Sequence, residues 1–198
     1  MFRLRTFGGL WLERDHQRVA GASSRWLGLL AALAASGERG VSRDRLLLLL
    51  WPDSTDSRAR HALAQTLYSL RRELGDELIR SEPTELVIDP AHLGSDLAEF
   101  LEARTRGDLE SAAACYTGPF LDGFYIAGAD EFERWAEVER ARLRDSALQV
   151  IEAAARAATE AGRLAVAVGH WRHLSALAPL NSRVAIGYLT SLAETGDV

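Results

Sequence analysis

Asp56-Ser57-Arg58-Ala59-Arg60-His61-Ala62-Leu63-Ala64-Gln65-Thr66-Leu67-Tyr68-Ser69-Leu70-Arg71-Arg72-Glu73-Leu74-Gly75 is the stretch whose reading decides the fold. Ala59, Leu63, Leu67, Leu70 and Leu74 recur at spacings of 4, 4, 3 and 4, the pattern of one face of an α-helix. Gly75 suits the left-handed turn that ends such a helix. The apolar stripe is expected to pack inward on other helices. At about 100° per residue the opposite face presents Arg58, His61, Gln65, Tyr68, Ser69 and Arg72, flanked by Arg60 and Arg71. No carboxylate occurs between Ser57 and Arg72.

Working outward, two helices precede this one. Ser23 and Ser24 are cap candidates for apolar residues at helical spacing from Trp26 to Ala35, and Gly37 to Gly40 breaks the pattern. Ser42 is placed to cap a second, short helix whose Leu46 can staple against Val41, and Trp51-Pro52 marks its end. Before them, Phe2 to Phe7 alternates apolar and polar residues, Gly8-Gly9 turns the chain and Leu10-Trp11-Leu12 follows, which predicts a small antiparallel sheet. Beyond Gly75, Leu78 to Ser81 and Glu85 to Ile88 flank the turn-forming Glu82-Pro83-Thr84 and predict a hairpin. Three helices, a sheet and a hairpin make a winged helix-turn-helix, expected over residues 1–92 and expected to close its own core around Leu63, Leu67, Leu70 and Trp51.

From residue 93 to 198 the texture is alanine-rich and helical. Helices are predicted over Asp96 to Arg106, Asp108 to Tyr116, Asp130 to about Ala161, Leu164 to Leu177 and Ser182 to Thr195. Glu160-Ala161-Gly162-Arg163 and Glu194-Thr195-Gly196-Asp197 lie 34 residues apart with Leu177-Ala178-Pro179-Leu180-Asn181 between them, the period of tetratricopeptide units. Gly107-Asp108-Leu109 before Tyr116 matches Gly162-Arg163-Leu164 before Trp171 in spacing. The expected fold is mainly α: a winged helix-turn-helix with a small antiparallel sheet and wing, then an all-α tetratricopeptide-like domain. Because the sequence stops at Val198, where such an array would begin another helix, the chain is expected to be the front of a longer protein.

Composition removes several function classes. All 23 positive side chains are arginines, so a GxxxxGK[ST] phosphate loop, a Schiff-base amine and a Ser-Lys dyad have no ammonium to work with. The single Cys115 makes neither an intramolecular disulfide nor a CxxC pair and is expected to be a small core residue. His170 and His173, three apart beside Trp171, lack a third ligand and read as packing or surface residues. No apolar run approaches the roughly 20 residues of a membrane span, and no secretory signal follows Met1, so no membrane association and a cytoplasmic location are expected. No catalytic constellation, cofactor site or metal site emerges, and no enzymatic activity is expected. The net charge of −5 is unevenly placed. Residues 1–90 hold 13 Arg against 12 Asp and Glu, a net of +1, and residues 91–198 hold 10 against 16, a net of −6. The asymmetry is a hint of nucleic-acid contact by the first part.

Two sets of motifs carry a family resemblance. Val41-Ser42-Arg43-Asp44-Arg45-Leu46, Leu50-Trp51-Pro52 and Leu67-Tyr68-Ser69-Leu70-Arg71-Arg72-Glu73-Leu74-Gly75 resemble the OmpR/PhoB-type winged helix. Asp96, Phe100, Gly107-Asp108, Tyr116-Thr117-Gly118-Pro119-Phe120-Leu121-Asp122-Gly123-Phe124 and Glu131-Phe132-Glu133-Arg134-Trp135 resemble the bacterial transcriptional activator domain (BTAD), and this second set is the more specific. Together the chain resembles the Streptomyces antibiotic regulatory protein (SARP) group and related BTAD proteins along nearly its whole length. One departure lies in the wing: where the family often carries a Gly-Tyr-Arg turn, this sequence reads Pro83-Thr84-Glu85-Leu86. An acidic tip repels phosphate and leaves the third helix to carry most of the contact.

The resemblance implies a sequence-specific DNA-binding transcriptional regulator, an activator, whose third helix enters the major groove of double-stranded DNA. Gln65 and Ser69 are then the expected base readers. Arg58 and Arg60 at the start and Arg71 and Arg72 at the end are the expected backbone clamps, with Arg58 or Arg72 equally suited to a guanine, and His61 and Tyr68 share the face. The helical domain would mediate self-association, contact RNA polymerase or relay a signal. The alternative is a protein-interaction scaffold with a degenerate winged helix that no longer binds DNA, the arginine-rich face then being merely solvated.

Overall fold

A computed structural model describes residues 1–195, so the Gly196-Asp197 end of the second repeat motif lies outside the described residues. Along the chain run β1 (Phe2–Arg5), β2 (Trp11–Arg14), β3 (Gln17–Arg18), α1 (Ser24–Ser36), β4 (Val41–Ser42), α2 (Arg43–Leu50), α3 (Asp56–Leu74), β5 (Ile79–Ser81), β6 (Glu85–Ile88), β7 (Leu93–Ser95), α4 (Asp96–Arg106), α5 (Leu109–Cys115), α6 (Asp130–Glu160), α7 (Leu164–Leu177) and α8 (Ser182–Thr195). The helices predicted from periodicity and caps form within a residue or two of their expected bounds. Two caps act as read: the Ser23 hydroxyl accepts from the Trp26 amide at 3.3 Å and Ser42 accepts from the Arg45 amide at 3.2 Å.

The chain divides into two compact units, Met1–Glu99 with Thr117–Ala141, and Phe100–Tyr116 with Arg142–Val198. The first unit contains the winged helix. Its N-terminal sheet has the order β3-β2-β1-β7, with β1 antiparallel to β2 (Leu4 opposite Leu12) and parallel to β7 (Phe2 opposite Leu93). The short strands β3 and β7 carry no alternation long enough to read in advance. The second sheet has the order β4-β6-β5, in which β5 and β6 are the expected hairpin, the wing. The α1 helix is buried along most of its length, from Trp26 to Ala34, which explains why its sequence is apolar on nearly every side.

The division differs from the one expected between residues 92 and 93, because residues 93–99 and 117–141 belong to the first unit. The Thr117–Phe124 string is the reason. Leu121 N donates to Thr6 O at 2.8 Å, Gly8 N donates to Pro119 O at 2.9 Å and the Thr117 hydroxyl donates to Phe7 O at 3.0 Å. Phe120, fully buried, meets Phe7 edge-on with ring centroids 6.5 Å apart. Gly118 is required here, since a Cβ on it would lie 2.9 Å from the Gly8 Cα. Asp96 completes the latch. Its carboxylate, 4% exposed, accepts from Thr6 N at 2.9 and 3.0 Å, the Thr6 hydroxyl at 2.6 Å and Phe7 N at 3.2 Å. A buried carboxylate is tolerable only when so many donors replace its water.

In the second unit, α7 packs on α8 and Trp171 lies against Gly187, where a Cβ would come within 2.6 Å of the indole. Arg144 reaches from α6 to the Leu177 carbonyl that ends α7 at 2.9 Å, and Arg183 on α8 pairs with Glu152 on α6 at 3.1 Å. Phe100 and Tyr116 fill the space under α4 and α5 with ring centroids 6.5 Å apart. Tyr116 and Phe120 are both core residues.

Candidate nucleic-acid interface

The α3 helix is set on the first unit by Ala59, Leu63, Leu70 and Leu74, all buried. Leu67, the fifth member of the predicted stripe, is only half-buried. It sits 40° off Leu63 on the helical wheel, toward a groove it lines with Leu47, Ala64, Arg60, Pro83 and Thr84, where the wing stands off from the helix. The N-terminus of α3 begins after Thr55, whose side chain makes no capping bond, so Asp56 supplies the favourable first-turn charge. At the other end Gly75, with φ of 105°, terminates the helix after Arg71 and Arg72.

Every residue expected at the interface is on this helix, and the structure separates them into a crest and two edges. Arg58, His61, Gln65, Tyr68 and Arg72 form the exposed crest, with Tyr68 68% exposed despite its ring. Ser69, half-buried, faces a depression between α3 and the start of α1 that is lined by Ser23, Arg25, Trp26 and Gln65. Arg60 and Arg71 lie on the opposite edge toward the wing. Gln65 Nε2 is 3.1 Å from His61 Nε2, a contact that orients the amide. It uses one of two amide hydrogens and leaves the other, with the carbonyl, for the two-point contact that an adenine edge offers.

The electrostatics differ from the acid-free face expected from the sequence of the helix alone. Arg60 pairs with Asp56 at 3.1 Å and lies 3.9 Å from Asp44 on α2, and Arg72 lies 3.7 Å from Glu73. Arg71 is half-buried and donates to the Ser81 hydroxyl on β5 at 2.9 Å, so it braces the wing on the helix. Among the described residues Arg58 has no ion-pair partner. Exposed pairs of this kind contribute little and exchange readily, so Arg60 and Arg72 are available to a polyanion that displaces the carboxylates. At the wing tip the Thr84 hydroxyl bonds the Glu85 carboxylate, and Arg43, at the first position of α2, reaches the Glu82 carbonyl at 3.4 Å. Arg43 is a neighbour of the groove that sequence reasoning left out of the site. Its only signal was an arginine next to a helix cap, which has too many structural uses to stand out.

Elsewhere, His170 and His173 on α7 gather no further ligand: no group of three or more metal-ligating side chains occurs among the described residues. Burial, and secondarily the neighbouring His170, push the His173 imidazole below its ordinary value. No described helix is long and apolar enough to cross a membrane.

Comparison with known proteins agrees with this architecture. Residues 95–198 match the bacterial transcriptional activator domain. The chain is 28% identical over 210 residues to the regulatory protein AfsR of Streptomyces coelicolor, an alignment that covers 98% of this chain and 20% of AfsR. It thus spans about a fifth of the length of that relative. Its fold is similar to that of Mycobacterium tuberculosis EmbR, solved in complex with a low-affinity phosphopeptide, with a TM-score of 0.70 and 20% identity over 99% of this chain and 55% of that one.

Proposed function

Because this chain belongs to the SARP/BTAD family of bacterial transcriptional regulators, we propose that it is a sequence-specific DNA-binding activator of transcription that acts in the cytoplasm on double-stranded DNA. In this reading residues 1–92 supply the DNA-binding elements, and residues 93–198 are the effector domain for self-association or contact with RNA polymerase. The observation that carries the reading is the crest of α3. A leucine face buries one side of the helix, so Arg58, His61, Gln65, Tyr68 and Arg72 are held outward on one rigid element, as insertion into a major groove requires. Its relatives are regulators, and nothing in the crest is arranged for catalysis.

The scaffold alternative has its own support in the carboxylates set beside Arg60 and Arg72 and in the acidic wing tip. Selection of duplexes from a random pool by the full chain, followed by fluorescence anisotropy at several salt concentrations, separates the two. A DNA-binding regulator recovers a shared motif and shows log affinity falling with log salt by about 0.9 per phosphate contacted. Failure to enrich any motif, with no salt-dependent binding, overturns the proposal in favour of the scaffold.

A further inference from the structure

The outer face of α8, in the second unit, is apolar and uncovered. Among the described residues, every large hydrophobic side chain that stands exposed in that unit belongs to the α7–α8 hairpin: Val166, Leu180, Ile186 and Leu189. Packing fixes which side of α8 is outward. Val184 and Ser191 are each 2% exposed, and Gly187 is set against the Trp171 ring of α7. The opposite side of the helix presents Ala185, Ile186, Leu189 and Ala193, all exposed, Ile186 at 65% and Leu189 at 64%. No charged residue occurs on α8 between Arg183 and Glu194. A contiguous apolar stripe of this kind marks a place where another apolar surface docks.

Two features of the stripe describe that surface. The first is its symmetry about Leu189, which has a small alanine four residues to either side. Laid antiparallel on itself about Leu189, the helix brings Ala185 opposite Ala193 and Ile186 opposite the half-buried Leu192, and the short alanines leave room for two leucines at the centre. The second is charge. Arg183 and Glu194 lie on the same flank of the stripe at opposite ends of the helix, about 16 Å apart along its axis. In an antiparallel pair of identical helices the same flanks face each other, so Arg183 of each copy meets Glu194 of the other, whereas a parallel pair sets like charges side by side. Arg183, its side chain 69% exposed, is held only by an open pair with Glu152 at 3.1 Å, which exchanges readily. Glu194 makes no ion pair among the described residues.

We propose that α8 is a self-association surface that pairs antiparallel with α8 of a second copy of this chain, about a two-fold axis at Leu189. One face of a 14-residue helix is a smaller surface than the roughly 800 Å² per partner of stable dimers, so the dimer is weak and exchanges with the monomer. Self-association is one role given above to residues 93–198, and the pairing rests on it. DNA plays no part in the measurement, so its outcome is independent of whether α3 reads bases.

The test is sedimentation equilibrium of the full chain from about 5 to 500 µM. The expected result is a reversible rise in mass from one chain toward two. Leu189→Glu should weaken association about tenfold or more, with a circular dichroism melt like that of the wild type. Arg183→Glu and Glu194→Arg should each weaken it roughly fivefold, because each places like charges together at both ends of the pair. An equimolar mixture of these two variants should recover the wild-type affinity, since opposite charges then meet at both ends. A dimer that survives Leu189→Glu, or a mixture that recovers nothing, keeps self-association but overturns the α8 pairing. A chain that stays monomeric throughout overturns both, and growth beyond two copies overturns the two-fold arrangement.

Discussion

Asp96 shows how much a single residue can hold. It is a charged side chain at the start of α4, where a carboxylate is favoured by the helix dipole, yet its oxygens are spent on the amides of Thr6 and Phe7 and on the Thr6 hydroxyl. Asp96→Ala leaves three buried donors without acceptors and is expected to cost roughly 3 to 5 kcal/mol. Asp96→Asn recovers only part of this, since its NH₂ group faces donors. Chemical denaturation of the three proteins measures both, and an Asp96→Ala variant as stable as the wild type would mean that the latch is ornamental. His173 acts in the opposite sense. Its folded-state pKa lies below the unfolded value, chiefly through burial, so the folded protein prefers the neutral ring. The stability it contributes is complete above the unfolded value of about 6.5 and is lost as pH falls through the depressed folded value. Thermal melts from about pH 8 down to pH 5 should show a decline that His173→Gln makes shallower. An identical decline in the variant would assign the effect to other groups.

At the scale of one element, α3 carries two separable roles. Leu70 is fully buried and Leu67 half-buried, so Leu70→Ala should cost about 2 to 5 kcal/mol of stability and Leu67→Ala roughly 1 to 2. The crest residues should leave stability alone and change binding. Gln65→Ala is expected to lose roughly 1 to 3 kcal/mol on the selected duplex with little change on scrambled DNA. Arg72→Ala should weaken both alike and reduce the salt slope by about one unit. Anisotropy on both duplexes, with melts alongside, checks the pair. If both variants bind like the wild type, α3 is not the reading head. Much of this element was legible in advance, because a helix repeats every 3.6 residues and the positions of its leucines fix which side is outward. The Asp44 carboxylate near Arg60 and the Arg71 to Ser81 brace were not, because they depend on how α2 and the wing approach.

For the whole molecule, the decisive question is what the winged helix needs in order to fold. Residues 1–92 contain α1 to α3 and the wing but lack β7, Asp96, Phe120, Ile126 and Phe132. The last two lie against Gly28 in the middle of α1, where a Cβ would approach Ile126 Cδ1 to 2.5 Å. A fragment ending at residue 92 is therefore expected to melt without a sharp transition, in contrast to the full chain. Circular dichroism and near-ultraviolet melts decide it. A cooperative transition within a few degrees of the full chain would establish residues 1–92 as self-sufficient, as the sequence alone suggested.

The sequence by itself determined where the helices lie, which side of α3 is apolar, that the wing is a hairpin with an acidic tip, and that lysine chemistry is absent. Each of these is local, written in periodicity, caps and turn residues that act over a few positions. Only the tertiary structure decided that β7 closes the first sheet beside β1, that the Thr117–Phe124 string serves that sheet, and that Asp96 holds Thr6 ninety residues away. The three-residue strand Leu93–Ser95 carries no pattern of its own, and a carboxylate gives no sign in the sequence of which amides it will meet. Such contacts exist only once the chain has closed on itself, where the burial of many apolar side chains offsets the entropy of bringing distant segments together.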